Sequence, residues 1–494
     1  MTNEKNLELI NSSSIYTQEP TLGRKFLFLE LELLKRIVQL GWPVIFGMFT
    51  QSAINTIDLL MIGRLDDTVA VPGSAAVMSS LIILWAYGGF LSAISVGTQA
   101  IAARRFSEGN FTDAGQVLTN SLMVSLVSSI IISLFSIYTI EPVVALLSKD
   151  DIVKKMSVEY SSIRLLALPS MALMASFKSF YDSLGRVKIY MFVAIIMNIA
   201  NTVINYFLIF GTEIFGLNIQ PVGVNGAAWG SMLSSYIGLA CIFIWSLRVQ
   251  DRIKFKVFRI KNINFSIACK IALLSFWSGL ATVVLMSGVG LFNYIVSTID
   301  KAANLPSINS SASSIIIHIM MMVFMSALAF GTSTSTLVSQ SIGAKKIALA
   351  KRYVWQCVIL ALYATVIFGI IVFIFPKTIL SLFLPADLNG NDLKDLVIEQ
   401  AIPSLRITAL LLSPASAAGL VLTQALYGTG ETKFIMIVEF VLHFFCLVPL
   451  AWFLSLYFGF GLMGCWLAAV IYGFLLFLVT AIKFYKGSWE NLKL

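Results

Sequence analysis

Long apolar runs, each closed by a short cluster of polar or charged residues, recur along nearly the whole chain. Hydrocarbon about 30 Å thick needs roughly 20 apolar helical residues to cross it. Runs of that size predict spans near 37–62, 75–100, 116–140, 157–180, 188–211, 224–247, 268–296, 314–339, 353–376, 403–424, 433–456 and 461–482. Barrel strands are short and alternate in polarity, so runs this long and continuous read as helices. The pattern predicts an all-α polytopic membrane protein with twelve transmembrane helices. Pro43, Pro169 and Pro414 fall inside spans, where proline removes a backbone hydrogen bond and is expected to kink the helix.

The punctuation between the runs repeats. Gly97-Thr98, followed by Gly109, returns as Gly331-Thr332 followed by Gly343. Pro169 with Gly185-Arg186-Val187-Lys188 returns as Pro414 with Gly430-Glu431-Thr432-Lys433. Gly223-Val224-Asn225-Gly226 returns as Gly461-Leu462-Met463-Gly464. Six helices repeated in order bring the chain back to its starting side. The halves are therefore expected to be parallel six-helix repeats around a central cavity. The organisation expected is a cytoplasmic N-terminal segment at 1–36, a bundle at 37–247 and a cytoplasmic linker at 248–267. A second bundle at 268–482 and a cytoplasmic tail at 483–494 follow.

Composition strengthens this reading. Of 494 residues, 58% are hydrophobic and only 12% charged, too little polar surface for a soluble chain. Lys and Arg exceed Asp and Glu by 34 to 25. The surplus sits in short joints on one side: Arg104 and Arg105, Arg186 and Lys188, then Arg248, Arg252, Lys254, Lys256, Arg259 and Lys261, then Lys345, Lys346, Lys351 and Arg352. Basic joints stay in the cytoplasm, so both termini are expected there and the protein in the cell membrane. The excess reads as an insertion signal, with membrane lipids and no nucleic acid as neighbours. The polar N-terminus does not resemble a cleavable signal peptide. The five cysteines lie in or beside apolar runs without CxxC spacing and read as small buried hydrophobes. No GxxxxGK[ST], HExxH or GxSxG motif occurs. No enzyme, no cofactor and no bound ATP are expected, which leaves an ion gradient as the source of work.

Polar groups inside spans are few and costly. Asp58 is the clearest, with Asn55 and Gln51 three and seven residues before it on roughly the same face. Such a carboxylate exchanges a proton or holds a cation, or else caps the helix ahead of a turn at Gly63. Asn198, Asn201 and Asn205 share a face of span five, suited to coordinating a cation or to bonding a neighbouring helix. Glu439 and His443 stand at i,i+4 in span eleven, as a proton relay, a substrate-binding pair or a buried structural pair. Lys178 and Asp182 read as an interfacial ion pair, His318 as a packing residue, and Arg164 as a snorkelling side chain. Tyr87 and Trp277, with Trp85 and Phe276, would suit flat organic cations if they face a cavity.

Five segments in order resemble the multidrug and toxic compound extrusion family, over about residues 30–485. They are Asn55-Thr56-Ile57-Asp58-Leu59-Leu60-Met61-Ile62-Gly63, residues 97–110, Asn201 to Gly211, Gly223 to Ala228, and Tyr427-Gly428-Thr429-Gly430-Glu431-Thr432-Lys433. The resemblance implies two six-helix bundles, set as a V, that extrude varied, often cationic organic compounds in exchange for H+ or Na+. The expected substrates are small molecules and the expected state is a monomer. The resemblance places Asp58, Asn201, Asn205 and Ser231 at an ion-coupling site, with Na+ at Asp58, Asn201 and Asn205 as one occupant. The chain departs from the family pattern in spans seven and ten, where 268–296 and 403–424 hold no Asp or Glu. A lipid or lipid-linked precursor flippase of a related branch is the alternative, though it would call for more cationic side chains within the spans.

Overall fold

A computed structural model describes residues 17–18, 25–26, 28–147, 150–214, 217–302, 307–383, 391–490 and 492. Residues 1–16, 19–24 and 27 of the expected N-terminal segment, and 491 and 493–494 of the expected tail, lie outside the described residues. Among the described residues, eleven helices are long and apolar enough to cross a membrane. A twelfth crossing comes from a bent pair, Asp151–Leu165 and Leu168–Ser183, which meet at 44°. The chain is thus an all-α, multi-pass membrane protein. Two short hairpins, Lys25–Phe26 with Leu29–Glu30 and Thr212–Ile214 with Leu217–Ile219, stand outside the spans.

Span one is Leu31–Ile62, and span two is Asp67–Ser92 continued by Ile94–Ser107. Span three is Phe111–Leu147, span five Lys188–Phe210 and span six Val224–Ser246. The bent pair is span four. Spans seven, eight and nine are Phe265–Ala302, Ile308–Gly343 and Ile347–Ile374. Span ten runs from Asn391–Ile407 to Ser413–Thr429, span eleven from Thr432–Leu442 to Phe453–Tyr457, and span twelve is Gly461–Lys486.

The prolines act in three ways. Pro43 is held within a continuous helix. Pro169 opens the second helix of the bent pair, where its missing N–H has no intrahelical partner to lose. Pro414 follows a π-helical turn at Thr408–Leu412, and Pro449 follows another at His443–Leu447. In each case the widened turn stands just where the proline ring would strike the carbonyl four residues back.

The helices gather into two compact units, one of Trp42–Thr282 and one of Val283–Lys493 with Tyr16–Gly41. Unit one is joined inside by hydroxyls. Thr98 Oγ1 lies 2.5 Å from Ser121 Oγ, Ser121 donates to Ser176 at 2.7 Å, and Ser125 and Ser176 are 2.6 Å apart. Small side chains let helices approach, and each hydroxyl finds its partner across the gap. In unit two, Arg36 donates to the Tyr353 hydroxyl at 3.0 Å and pairs with Glu32, while Glu30 pairs with Arg352.

The basic segment after span six is part of unit one. It forms a helix at Val249–Phe255 and a tight turn at Ile260–Asn262, and Phe255 is fully buried. Asp251 accepts from Arg186 at 2.6 Å, and Lys254 lies 4.2 Å from the Phe111 ring centre. Asn120 clamps the far end. Its amide donates to the Asn262 carbonyl and its carbonyl accepts from the Asn264 N–H, each at 2.9 Å. Asn120→Ala strips two backbone groups of their partners, the Asn262 carbonyl in a buried contact and the Asn264 N–H in a part-buried one. We expect a loss of about 1–3 kcal/mol in mixed-micelle unfolding, with faster tryptic cleavage at Arg259 and Lys261.

Candidate functional site

The polar centre of unit one is built on Asp58. Span five supplies the amides, because the buried stripe of this helix runs Ala194, Met197, Asn201, Asn205 and Ile209. Recurrence at three and four residues keeps these on one face. Span six faces them with Ser231.

Asp58 is 1% exposed, and donors surround both of its oxygens. Asn205 Nδ2 donates to Oδ1 at 2.5 Å and the Ser231 hydroxyl donates to Oδ2 at 2.6 Å. Asn201 Nδ2 donates to Ser231 Oγ at 2.9 Å, which orients that hydroxyl toward the carboxylate. The network therefore holds Asp58 as a hydrogen-bond acceptor, the arrangement that suits its ionised form. One atom does not fit. Asn205 Oδ1 is buried without a hydrogen-bond partner. A stranded acceptor of this kind costs about 1–3 kcal/mol.

That stranded oxygen also explains Gly230. A Cβ on Gly230 would lie 1.8 Å from Asn205 Oδ1. Glycine is what allows the amide to sit between spans five and six.

Two residues complete the site that the sequence reading did not place there. Arg164 is buried rather than snorkelling, and its positive charge acts on Asp58. Tyr160, one helical turn earlier, is buried and also feels the Asp58 charge. The legible signal was their i,i+4 spacing on a stripe shared with Ser157 and Ser161. A neighbouring cation helps a buried carboxylate to remain charged.

Other candidates lie apart. Asn198 is half-buried, and its amide donates back to the Ala194 carbonyl of its own helix at 3.1 Å. Asn55 is half-buried and outside the hydrogen bonds that hold Asp58. The Gln51 side chain lies outside the described residues. Tyr87 is half-buried with its hydroxyl 2.6 Å from Thr139 Oγ1. Trp277 is half-buried beside Phe276, their rings 5.5 Å apart. Glu439 and His443 come together within unit two.

The carboxylate, two amide carbonyls and a hydroxyl form an all-oxygen donor set. Hard cations such as Na+ take oxygen ligands. To accept one, or a proton, the donors now aimed at Asp58 must turn. An Asn205 flip would bring the stranded Oδ1 toward the carboxyl. Gly230→Ala should displace this amide and destabilise the protein by about 1–3 kcal/mol. In an Asn205→Ala background the same change should cost less, with the residue 205 backbone N, 3.1 Å from the added carbon, as the remaining close neighbour. A mixed-micelle double-mutant cycle reads the difference, and additive costs would refute the contact.

The family model MatE matches residues 43–207 and 292–453, a stretch that includes Asp58, Asn201 and Asn205. The transporter YisQ of Bacillus subtilis, named as uncharacterized, is 24% identical over 88% of this chain and 90% of its own. The probable multidrug resistance protein NorM of Thermotoga maritima is 23% identical over 93% of this chain and 94% of its own. In fold, the chain is similar to an outward-facing multidrug resistance MATE transporter of the MOP superfamily. The TM-score is 0.80 at 18% identity, over 96% of this chain and all of that one. A MOP superfamily transporter from Pyrococcus furiosus gives the same score, identity and coverage. With two thirds of its length matched by the model and a fold shared with solved members, the chain belongs to the MatE family of membrane transporters.

Proposed function

We propose that this transporter is a secondary antiporter that exports organic compounds, often cationic, in exchange for H+ or Na+, with Asp58 as the coupling group. The observation that carries the reading is the buried carboxylate held by turnable donors beside the stranded Asn205 oxygen. A group so placed has two stable arrangements. In one, ionised Asp58 accepts from Asn205 and Ser231. In the other, a proton or Na+ sits on the carboxyl and the amide oxygen faces it. Binding of the ion therefore rearranges contacts between spans one, five and six.

Reciprocal linkage makes this rearrangement useful. If ion binding lowers affinity for an organic substrate, substrate binding must lower affinity for the ion by the same factor. One charge moving through about 100 mV supplies roughly 2.3 kcal/mol, enough to bias such a cycle. Multidrug resistance in the names of the NorM relatives supports organic compounds as the cargo. Tyr87 and Trp277 are the aromatic side chains we assign to substrate contact. The basic joints support cytoplasmic placement of both termini. A single chain is sufficient for this scheme, and no cofactor enters it.

Asp58→Asn keeps the size of the side chain but exchanges one of its two acceptor oxygens for an NH2 donor, and it cannot titrate. In proteoliposomes, this variant should insert normally while efflux of an ethidium-like cation driven by an imposed gradient falls to that of empty vesicles. Imposing pH and Na+ gradients separately on the wild type identifies the coupling ion. Wild-type efflux from the variant under either gradient would sink the assignment.

A further inference from the structure

Unit two packs an acid, an imidazole and a phenol against one another. Glu439 lies on Thr432–Leu442, and His443 opens the π-helical turn His443–Leu447. Nδ1 of His443 is 2.8 Å from the Glu439 backbone carbonyl and 3.2 Å from Glu439 Oε2. Tyr472, from span twelve, donates its hydroxyl to the same Oε2 at 2.9 Å. Its ring centre lies 4.6 Å from that of the imidazole. On another side, Gly288 of span seven presses on the ring, so that a Cβ there would lie 2.2 Å from His443 Cδ2.

The charge balance of this cluster is restrictive. Among the described residues, the one ion pair of Glu439 is with His443. The other titratable groups nearby are Tyr427 from span ten and Cys446 in the π-helical turn, neither of which supplies positive charge. With no proton between them, Glu439 and His443 carry a net negative charge. With one, they are neutral as a pair, either as carboxylate with imidazolium or as carboxylic acid with imidazole. Burial in a low-dielectric interior strongly favours the neutral total. His443 is 1% exposed, whereas the Glu439 side chain keeps 10% of its surface accessible.

We propose that Glu439, His443 and Tyr472 form a proton-exchange site in the second half of the protein. The two titratable partners share one proton, and Tyr472 holds the carboxylate in line with the imidazole. Because His443 begins the widened turn ahead of Pro449, the charge on its ring bears directly on the shape of span eleven. The site lies outside the Asp58 network, and its chemistry stands whichever ion Asp58 carries.

The chain has only two histidines, His318 and His443, which makes the test direct. The full-length protein, labelled with heavy nitrogen on its histidine rings and placed in lipid nanodiscs, gives two sets of ring signals, assigned with His318→Gln. We expect the His443 ring signals to respond to pH as the proton shared with Glu439 is gained or lost. In Glu439→Gln, the pH dependence of these signals should change, because coupled partners titrate together. Tyr472→Phe, which keeps both charges, should change it by a smaller step and serves if Glu439→Gln does not fold. Ring signals that do not respond to pH overturn the proposal, as does a pH dependence unchanged by the substitutions. Asp58→Asn should leave the curve unchanged, so a failed antiport assignment does not obscure this result.

Discussion

Hydrocarbon offers no hydrogen bonds, so every polar group placed within it must find its partner in the chain itself. That constraint runs through the whole structure. It makes the spans helical. It explains why the buried hydroxyls of spans two, three and four bond to one another across helix faces. It also gives the exceptions their meaning, because a buried polar atom left without a partner is stored free energy. Asn205 Oδ1, stranded beside an ionisable carboxyl, is where a second arrangement of the same side chains becomes affordable.

The two halves meet the constraint differently, although their glycine and proline punctuation matches. The first half surrounds one carboxylate with neutral donors from spans five and six and places the Arg164 charge within reach. The second half holds no Asp or Glu within 268–296 or 403–424. It instead joins Glu439, His443 and Tyr472 in spans eleven and twelve. Its helices are also less regular. Two of the widened turns precede a proline, and one of these starts on His443 itself. A helix with an extra residue in a turn has a register that can be shifted, and polar groups beside such a turn couple their charge to backbone shape.

Glycine and proline serve this arrangement through geometry. Gly230 lets an amide approach closely enough to bond Asp58. Pro169 starts a new helix at the bend of span four, the same span that delivers Tyr160 and Arg164. Packing in a membrane relies on close approach of helices rather than on escape from water. The absence of a single Cβ, as at Gly230 or Gly288, is therefore enough to decide which side chains meet.

The number of crossings, the helical class, the repeat and the identity of Asp58 as an expensive group were all legible in the sequence. Each follows from the length and polarity of local runs, and hydrocarbon thickness turns those directly into structure. The pairing of Asn201 and Asn205 was legible as helical periodicity, and so was that of Glu439 with His443. Only the tertiary structure decided which members of each stripe reach a partner on another helix. Asn198 shares the spacing of its neighbours yet bonds to its own backbone, while Arg164 and Tyr160, from a different span, are buried within electrostatic range of Asp58. Tyr472 likewise stands far from Glu439 in the chain and meets it through packing alone. Periodicity specifies a face of a helix, but the rotation of that helix against its neighbours is set by contacts among distant residues, and no local run of sequence contains them.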